Sequence, residues 1–155
     1  MSFTFDRDDV DAALHDLAQR LHADDLAVTI YIVGGTAVML TAQPDRRGTK
    51  DIDVWINTDH DTRHHVDRHI AQIAAENGWT RDWLNDNAKN YIPEAITGHT
   101  QDWAPYIQLG DVTIVLARSD VLLAMKLRAG RPIKDLPDLP PLIRAAGITT
   151  LQQAI

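Results

Sequence analysis

Gly34-Gly35-Thr36-Ala37 and then, beyond a polar interval, Lys50-Asp51-Ile52-Asp53-Val54-Trp55-Ile56 decide how this chain folds. Residues i and i+2 of an extended strand project from one face, so Asp51 and Asp53 point together while Ile52, Val54 and Ile56 suit an apolar core. Like charges held that close call for a cation. Carboxylate oxygens are hard ligands, which favours magnesium or manganese over zinc. The competing reading is an ordinary half-buried strand with its acids in solvent, and the surrounding sequence decides between the two.

Upstream, Leu26 to Val33 is a β-branched apolar run that reads as a buried strand ending at the glycine pair. Thr36 to Ala42 reads as a short helix launched by the glycines, Gln43 to Gly48 as a polar turn, and Asp51 to Ile56 as the acidic strand. From Asp8 to Ala23 the apolar positions recur at three- and four-residue steps, an amphipathic helix with Asp8 or Asp9 as N-cap. Thr58 to Asn77 repeats that spacing and stops at Asn77-Gly78, a left-handed C-cap signal. Between Trp79 and Pro105 no period holds, and the segment reads as loop with short helices. Val112 to Ala117 has strong β-propensity and follows the turn Leu109-Gly110-Asp111. Asp120 caps a helix through Val121, Leu122, Met125 and Lys126 that ends near Gly130-Arg131-Pro132, and Leu139 to Ala146 is a last short helix. The order predicts one α/β (α+β) domain over residues 1–155, a small mixed sheet of at least three strands flanked by helices.

The 155 residues suffice for one core, and no apolar run approaches the roughly 20 residues of a membrane span. Met1 to Asp11 is polar and acidic, unlike a signal peptide, and the absence of cysteine removes disulfides and thiolate metal sites. A cytoplasmic protein is the expectation. The formal net charge of -7 opposes general nucleic-acid binding. Local basic groups remain, Arg46, Arg47 and Lys50 before the acid pair and Arg118, Lys126, Arg128, Arg131 and Lys134 later, and these suit the grip of one RNA end or merely a solvated surface.

The acid pair and the glycine pair would suit the two halves of a nucleotide-handling site. A glycine-rich turn at a helix start lets backbone N–H groups approach phosphate oxygens with no Cβ in the way, and the Thr36 hydroxyl can join them. Two metal ions in a nucleotidyl-transfer site neutralise the triphosphate and steady the attacking and leaving oxygens. A lysine such as Lys126 completes the charge balance.

Gly34-Gly35-Thr36-Ala37 with Lys50-Asp51-Ile52-Asp53-Val54 resembles the Gly-Gly and Asp-x-Asp signature of the DNA polymerase β-like nucleotidyltransferases. The run Leu122-Leu123-Ala124-Met125-Lys126-Leu127-Arg128-Ala129-Gly130-Arg131, then Lys134-Asp135-Leu136 and Asp138-Leu139, is similar to the second half of minimal nucleotidyltransferases of the abortive-infection (AbiEii-like) and type IV toxin-antitoxin kind. Trp83-Leu84-Asn85-Asp86 fits the same group, and the resemblance covers roughly residues 28 to 143. It implies metal, Mg2+ or Mn2+, on Asp51 and Asp53, and Lys126 on the triphosphate with Asp138 or Asp135 as a distal acid. Gly34, Gly35, Thr36, Lys50 and Arg131 would lie around the nucleotide. It further implies a nucleoside triphosphate as substrate, an RNA acceptor such as transfer RNA, and a cognate antitoxin as partner. The sequence departs from the pattern in two places. The interval from Gly35 to Asp51 is long, and the strand Val112 to Ala117 lacks a central acid, leaving Asp111 at its edge as the substitute.

Other readings attach to the same residues. Lys126 suits a snorkelling surface lysine, and Asp135 and Asp138 suit helix caps. His65 and His69 have the i, i+4 spacing of a zinc pair, without a fixed acidic partner. Trp79, Trp83, Trp103 and Tyr106 suit core packing better than base stacking. A non-catalytic nucleotide- or partner-binding module, or a small-molecule nucleotidyltransferase acting on a cationic antibiotic, would share this fold.

Overall fold

The computed structural model describes residues 4–41, 48–86, 103–118, 121–123, 140 and 143–144. Helix α1, Arg7–Ala23, begins one residue before its periodic pattern because Asp6 is the N-cap. Its carboxylate accepts from Asp9 N–H at 2.8 Å while Asp9 returns the bond to Asp6 N–H at 3.0 Å. This reciprocal box satisfies two helix-end donors, so Asp9 is a capping partner and not the cap. Strand β1, Val28–Ile32, follows and then α2, Gly34–Thr41, which starts at the first glycine, two residues before the expected Thr36.

Strand β2 spans Ile52–Asn57, with Asp51 in the bend before it, and α3 spans His60–Asn77 between the Asp59 cap and left-handed Gly78. Two strands lie where the sequence suggested irregular chain: β3, Leu84–Asn85, after a 3-10 turn at Arg81–Trp83, and β4, Trp103–Leu109. Strand β5, Val112–Ala117, completes a five-stranded mixed sheet in the order β3-β2-β1-β5-β4. β1 runs parallel to β5 and antiparallel to β2, β2 parallel to β3, and β4 antiparallel to β5. The mixed α/β architecture matches the expected fold class.

Alternation sorts each strand into two sets. Val28, Ile30 and Ile32, Ile52, Val54 and Ile56, and Val112, Ile114 and Leu116 are buried and share one core with the apolar stripes of α1 and α3. The other set includes Asp53, Trp55, Tyr31 and Val115. On that face Trp55 stacks on Tyr31 at 4.6 Å between ring centroids, and Trp103 meets Tyr31 edge-on at 4.7 Å. Among the described residues no helix is long and apolar enough to cross a membrane.

The segment before α1 locks the entry to β2. Phe5 and Thr49 exchange backbone hydrogen bonds at 2.7 and 2.9 Å, and buried Phe5 packs on Trp79 and Trp83. Trp83 also donates Nε1–H to the Ile70 carbonyl of α3 at 2.9 Å. Trp79 and Trp83 are therefore packing residues, as is buried Trp103, and the Tyr106 hydroxyl is bonded to Asp11 of α1. Burial and that bond together push the Tyr106 phenol above its ordinary range.

The last two helices expected from the sequence, after Asp120 and over Leu139 to Ala146, fall mostly outside the described residues. Helical backbone is present at 121–123, with Leu122 N–H donating to the Arg118 carbonyl at 3.0 Å, and at Pro140, Ile143 and Arg144.

Candidate functional site

The antiparallel pairing of β1 and β2 brings the glycine turn to the acid strand. Ile32 is opposite Val54, and one step further Val33 N–H donates to the Asp53 carbonyl at 2.9 Å. Gly34 then turns with φ +69°, a left-handed value that glycine adopts without penalty. A Cβ on Gly34 would stand 2.7 Å from Asp53 Oδ2 and 3.3 Å from Asp53 Cβ. The backbone thus lies against the carboxylate itself, which explains in one contact why glycine precedes the helix and why its partner is Asp53.

Asp51 lies in the bend before β2. The Thr49 hydroxyl donates to the Asp51 carbonyl at 2.8 Å and holds the bend, while the carboxylate of Asp51 is approached by Asn85 Nδ2 at 3.4 Å. Asn85 lies opposite Asp53 in the β2–β3 register. Both acids are half-buried, and Lys50 beside them is exposed.

Gly35 and Thr36 continue into the first turn of α2. Thr36 is only 1% exposed, yet its Oγ1 has no hydrogen-bond partner among the described residues. Thr41, in the same helix, instead closes its hydroxyl onto the Ala37 carbonyl at 2.6 Å. A buried hydroxyl left unpaired costs about 1–3 kcal/mol, so Thr36 holds bonding capacity that an anion at the helix start would use.

The geometry removes Asp111 as a substitute acid. Its carbonyl accepts from Val28 N–H, where β1 and β5 begin, and Val28 pairs with Val112 while Ile32 pairs with Leu116. Asp111 is therefore six strand residues, about 20 Å, from the level of Asp53. Among the described residues no group of three His, Cys, Asp or Glu side chains gathers in a metal-binding cluster. Two carboxylates still fit Mg2+ or Mn2+, since such ions take one or two protein acids and complete their shell with water and substrate phosphates.

The histidine pair of α3 is drawn apart. His69 Nε2 is 2.5 Å from Asp24 in the turn after α1, and His65 Nδ1 faces Arg68 at 2.6 Å. Lys126, Arg131, Asp135 and Asp138 lie outside the described residues. The chain does leave β5 at the Asp53 end of the sheet, since Leu116 pairs with Ile32, and Arg118 is exposed there. Asn85 is the neighbour that the sequence alone did not assign to the site. Its signal was the Trp83-Leu84-Asn85-Asp86 run, in which Trp83 anchors the turn and Asp86 pairs with Arg63 at 3.3 Å.

The glycine turn is thus packed on a strand carboxylate, with a second carboxylate in the bend before that strand, in a mixed sheet backed by helices. Residues 9–142 match the family described as nucleotidyltransferase of unknown function (DUF6036), and the chain belongs to that family. A similar fold occurs in the crystal structure of an antigenic nucleotidyltransferase-like protein from Paracoccidioides brasiliensis, with a TM-score of 0.54 and 17% sequence identity. That likeness, covering 92% of this chain and 78% of the other, is one of fold. No curated protein matches the sequence.

Proposed function

We propose that this chain is a metal-dependent nucleotidyltransferase that moves a nucleotide from a nucleoside triphosphate to an acceptor hydroxyl, with the end of an RNA as acceptor. The contact of Gly34 on the Asp53 carboxylate carries the reading, because it joins a phosphate-approaching backbone to a metal-type ligand in a member of this family. Asp51 and Asp53 hold the magnesium or manganese, which when bound neutralises the triphosphate and sharpens the attacking oxygen. The first turn of α2 receives phosphate oxygens on its N–H groups, with the Thr36 hydroxyl, unpaired among the described residues, as a further donor. The acceptor oxygen forms a bond to the α-phosphorus in line with the bond that breaks to pyrophosphate, and the hydroxyl proton leaves to solvent.

Lys126 and Arg131 are proposed to meet the triphosphate and Asp138 to support the site. The preference for an RNA acceptor such as transfer RNA, and for a toxin neutralised by a cognate antitoxin, rests on the resemblance to abortive-infection nucleotidyltransferases. The formal charge of -7 confines any RNA contact to local basic groups. The experiment is transfer of label from each of the four α-labelled triphosphates into total RNA and total protein, with magnesium and with an Asp51→Asn/Asp53→Asn control. Label entering RNA, absent with chelator and in the double variant, is the expected result. Transfer that survives the double variant refutes the site. Nucleotide affinity by calorimetry with no transfer to any acceptor would instead mark a binding module.

A further inference from the structure

Beside Asp51 stands a neutral side chain, Asn85, whose amide nitrogen is turned toward acceptors. Asn85 Nδ2 donates to the Asp82 carbonyl at 3.0 Å and reaches Asp51 Oδ2 at 3.4 Å. Both partners are acceptors only, so chemistry fixes which end of the amide faces them. The segment presenting it is held on both sides. Trp83 is buried and bonded to Ile70, and Asp86 pairs with Arg63 of α3.

The two acids differ in how firmly they are held. Asp53 lies inside β2, with its carbonyl bonded to Val33 and its carboxylate against Gly34. Asp51 lies in the bend outside the ladder and needs a side-chain partner to fix its rotamer. A lysine or arginine would fix it while cancelling the negative charge that a cation needs. An amide N–H on one oxygen restrains the carboxylate and leaves its charge and its second oxygen available.

We propose that Asn85 is a positioning residue that sets the Asp51 carboxylate for cation binding. The inference rests on the reading of Asp51 and Asp53 as metal ligands. Manganese binding, followed by loss of the free-ion paramagnetic signal, would be measured for the wild type, Asn85→Ala, Asp51→Asn and the double variant, with melting temperatures alongside. Asn85→Ala should weaken binding about tenfold, the low end for groups that orient a ligand, with little change in melting temperature. In the Asp51→Asn background the same substitution should cost nothing more, because its effect passes through Asp51. Half-maximal transfer should need more metal in Asn85→Ala, with kcat recovered at saturation. Should Asn85→Ala fail to fold, Asn85→Leu keeps the volume and removes both donors.

Wild-type affinity in a folded Asn85→Ala, or an equal loss in the Asp51→Asn background, overturns the role of Asn85 and leaves the ligand assignment standing. A wild type that binds no manganese overturns both.

Discussion

Replacing Gly34 by alanine tests the central contact of the candidate site, and the chain supplies its own control. Gly34 and Gly78 have nearly the same backbone angle, φ +69° and +72°, so an alanine at either pays the same left-handed penalty, about 1–2 kcal/mol. Around Gly78 a Cβ meets nothing within 4 Å, whereas at Gly34 it meets Asp53 Oδ2 at 2.7 Å. The backbone of Asp53 cannot yield easily, being tied to Val33 N–H at 2.9 Å and to the sheet. The carboxylate must therefore turn, and an off-rotamer displacement of this kind costs about 0.5–1.5 kcal/mol more. Gly78→Ala should lose about 1–2 kcal/mol in urea unfolding and Gly34→Ala about 2–3 kcal/mol. The larger difference should be functional. A ligand group misplaced by near 1 Å can lower a rate about a hundredfold, so Gly34→Ala should lose nucleotide transfer and manganese affinity while Gly78→Ala keeps both. Equal stability loss in the two variants, with manganese binding intact in Gly34→Ala, would refute the argument that this glycine exists to admit the carboxylate.

Two further outcomes follow from the elements around the site. Phe5→Ala opens a cavity between Trp79 and Trp83 and should cost about 3–5 kcal/mol by chemical denaturation. Because the Phe5 ring anchors the backbone that pairs with Thr49, manganese affinity should fall too; unchanged affinity in the folded variant would mean that the Phe5–Thr49 backbone bonds hold the Asp51 bend without the ring. At the start of α3, the Thr62 N–H and hydroxyl bonds hold the Asp59 carboxyl below its ordinary value of 3.8. Stability from this cap is complete above that value and is lost as pH falls through the lower folded one. Asp59→Asn, which still caps, should remove that part of the acid dependence in melting curves between pH 2 and pH 5, about the carboxylate range; an unchanged acid limb would assign it elsewhere.

Much of this arrangement was legible because it rests on short-period patterns. The buried Ile52-Val54-Ile56 set and the left-handed stop at Gly78 follow from alternation and from glycine's backbone freedom, whereas Asp51, expected in the strand with Asp53, lies in the bend before it. Strands β3 and β4 were not legible, for different reasons. β3 has two residues and no period to detect. β4 contains Pro105 and a register shift between Pro105 and Ile107, features that an edge strand tolerates but that break the alternation a reader looks for. The position of Asp111 could not be read at all, since only the parallel register of β1 and β5 shows which end of the sheet it occupies. Asn85 was visible as part of a motif but not as a neighbour of Asp51, because their contact spans α3.

The parallel pairing of β1 with β5 also bears on when the molecule can first work. Val28 to Ile32 joins Val112 to Leu116, so the central ladder closes a loop of about half the chain. Loop closure of that kind is slow relative to local helix formation, and a nascent chain emerges at about 5–20 residues per second. For several seconds of synthesis α1 to α3 and both acids exist while β1 still presents an unpaired edge. Until the hairpin of β4 and β5 arrives, the glycine turn and Asp53 are joined only through the pairing of β1 with β2, at the edge of an unfinished sheet.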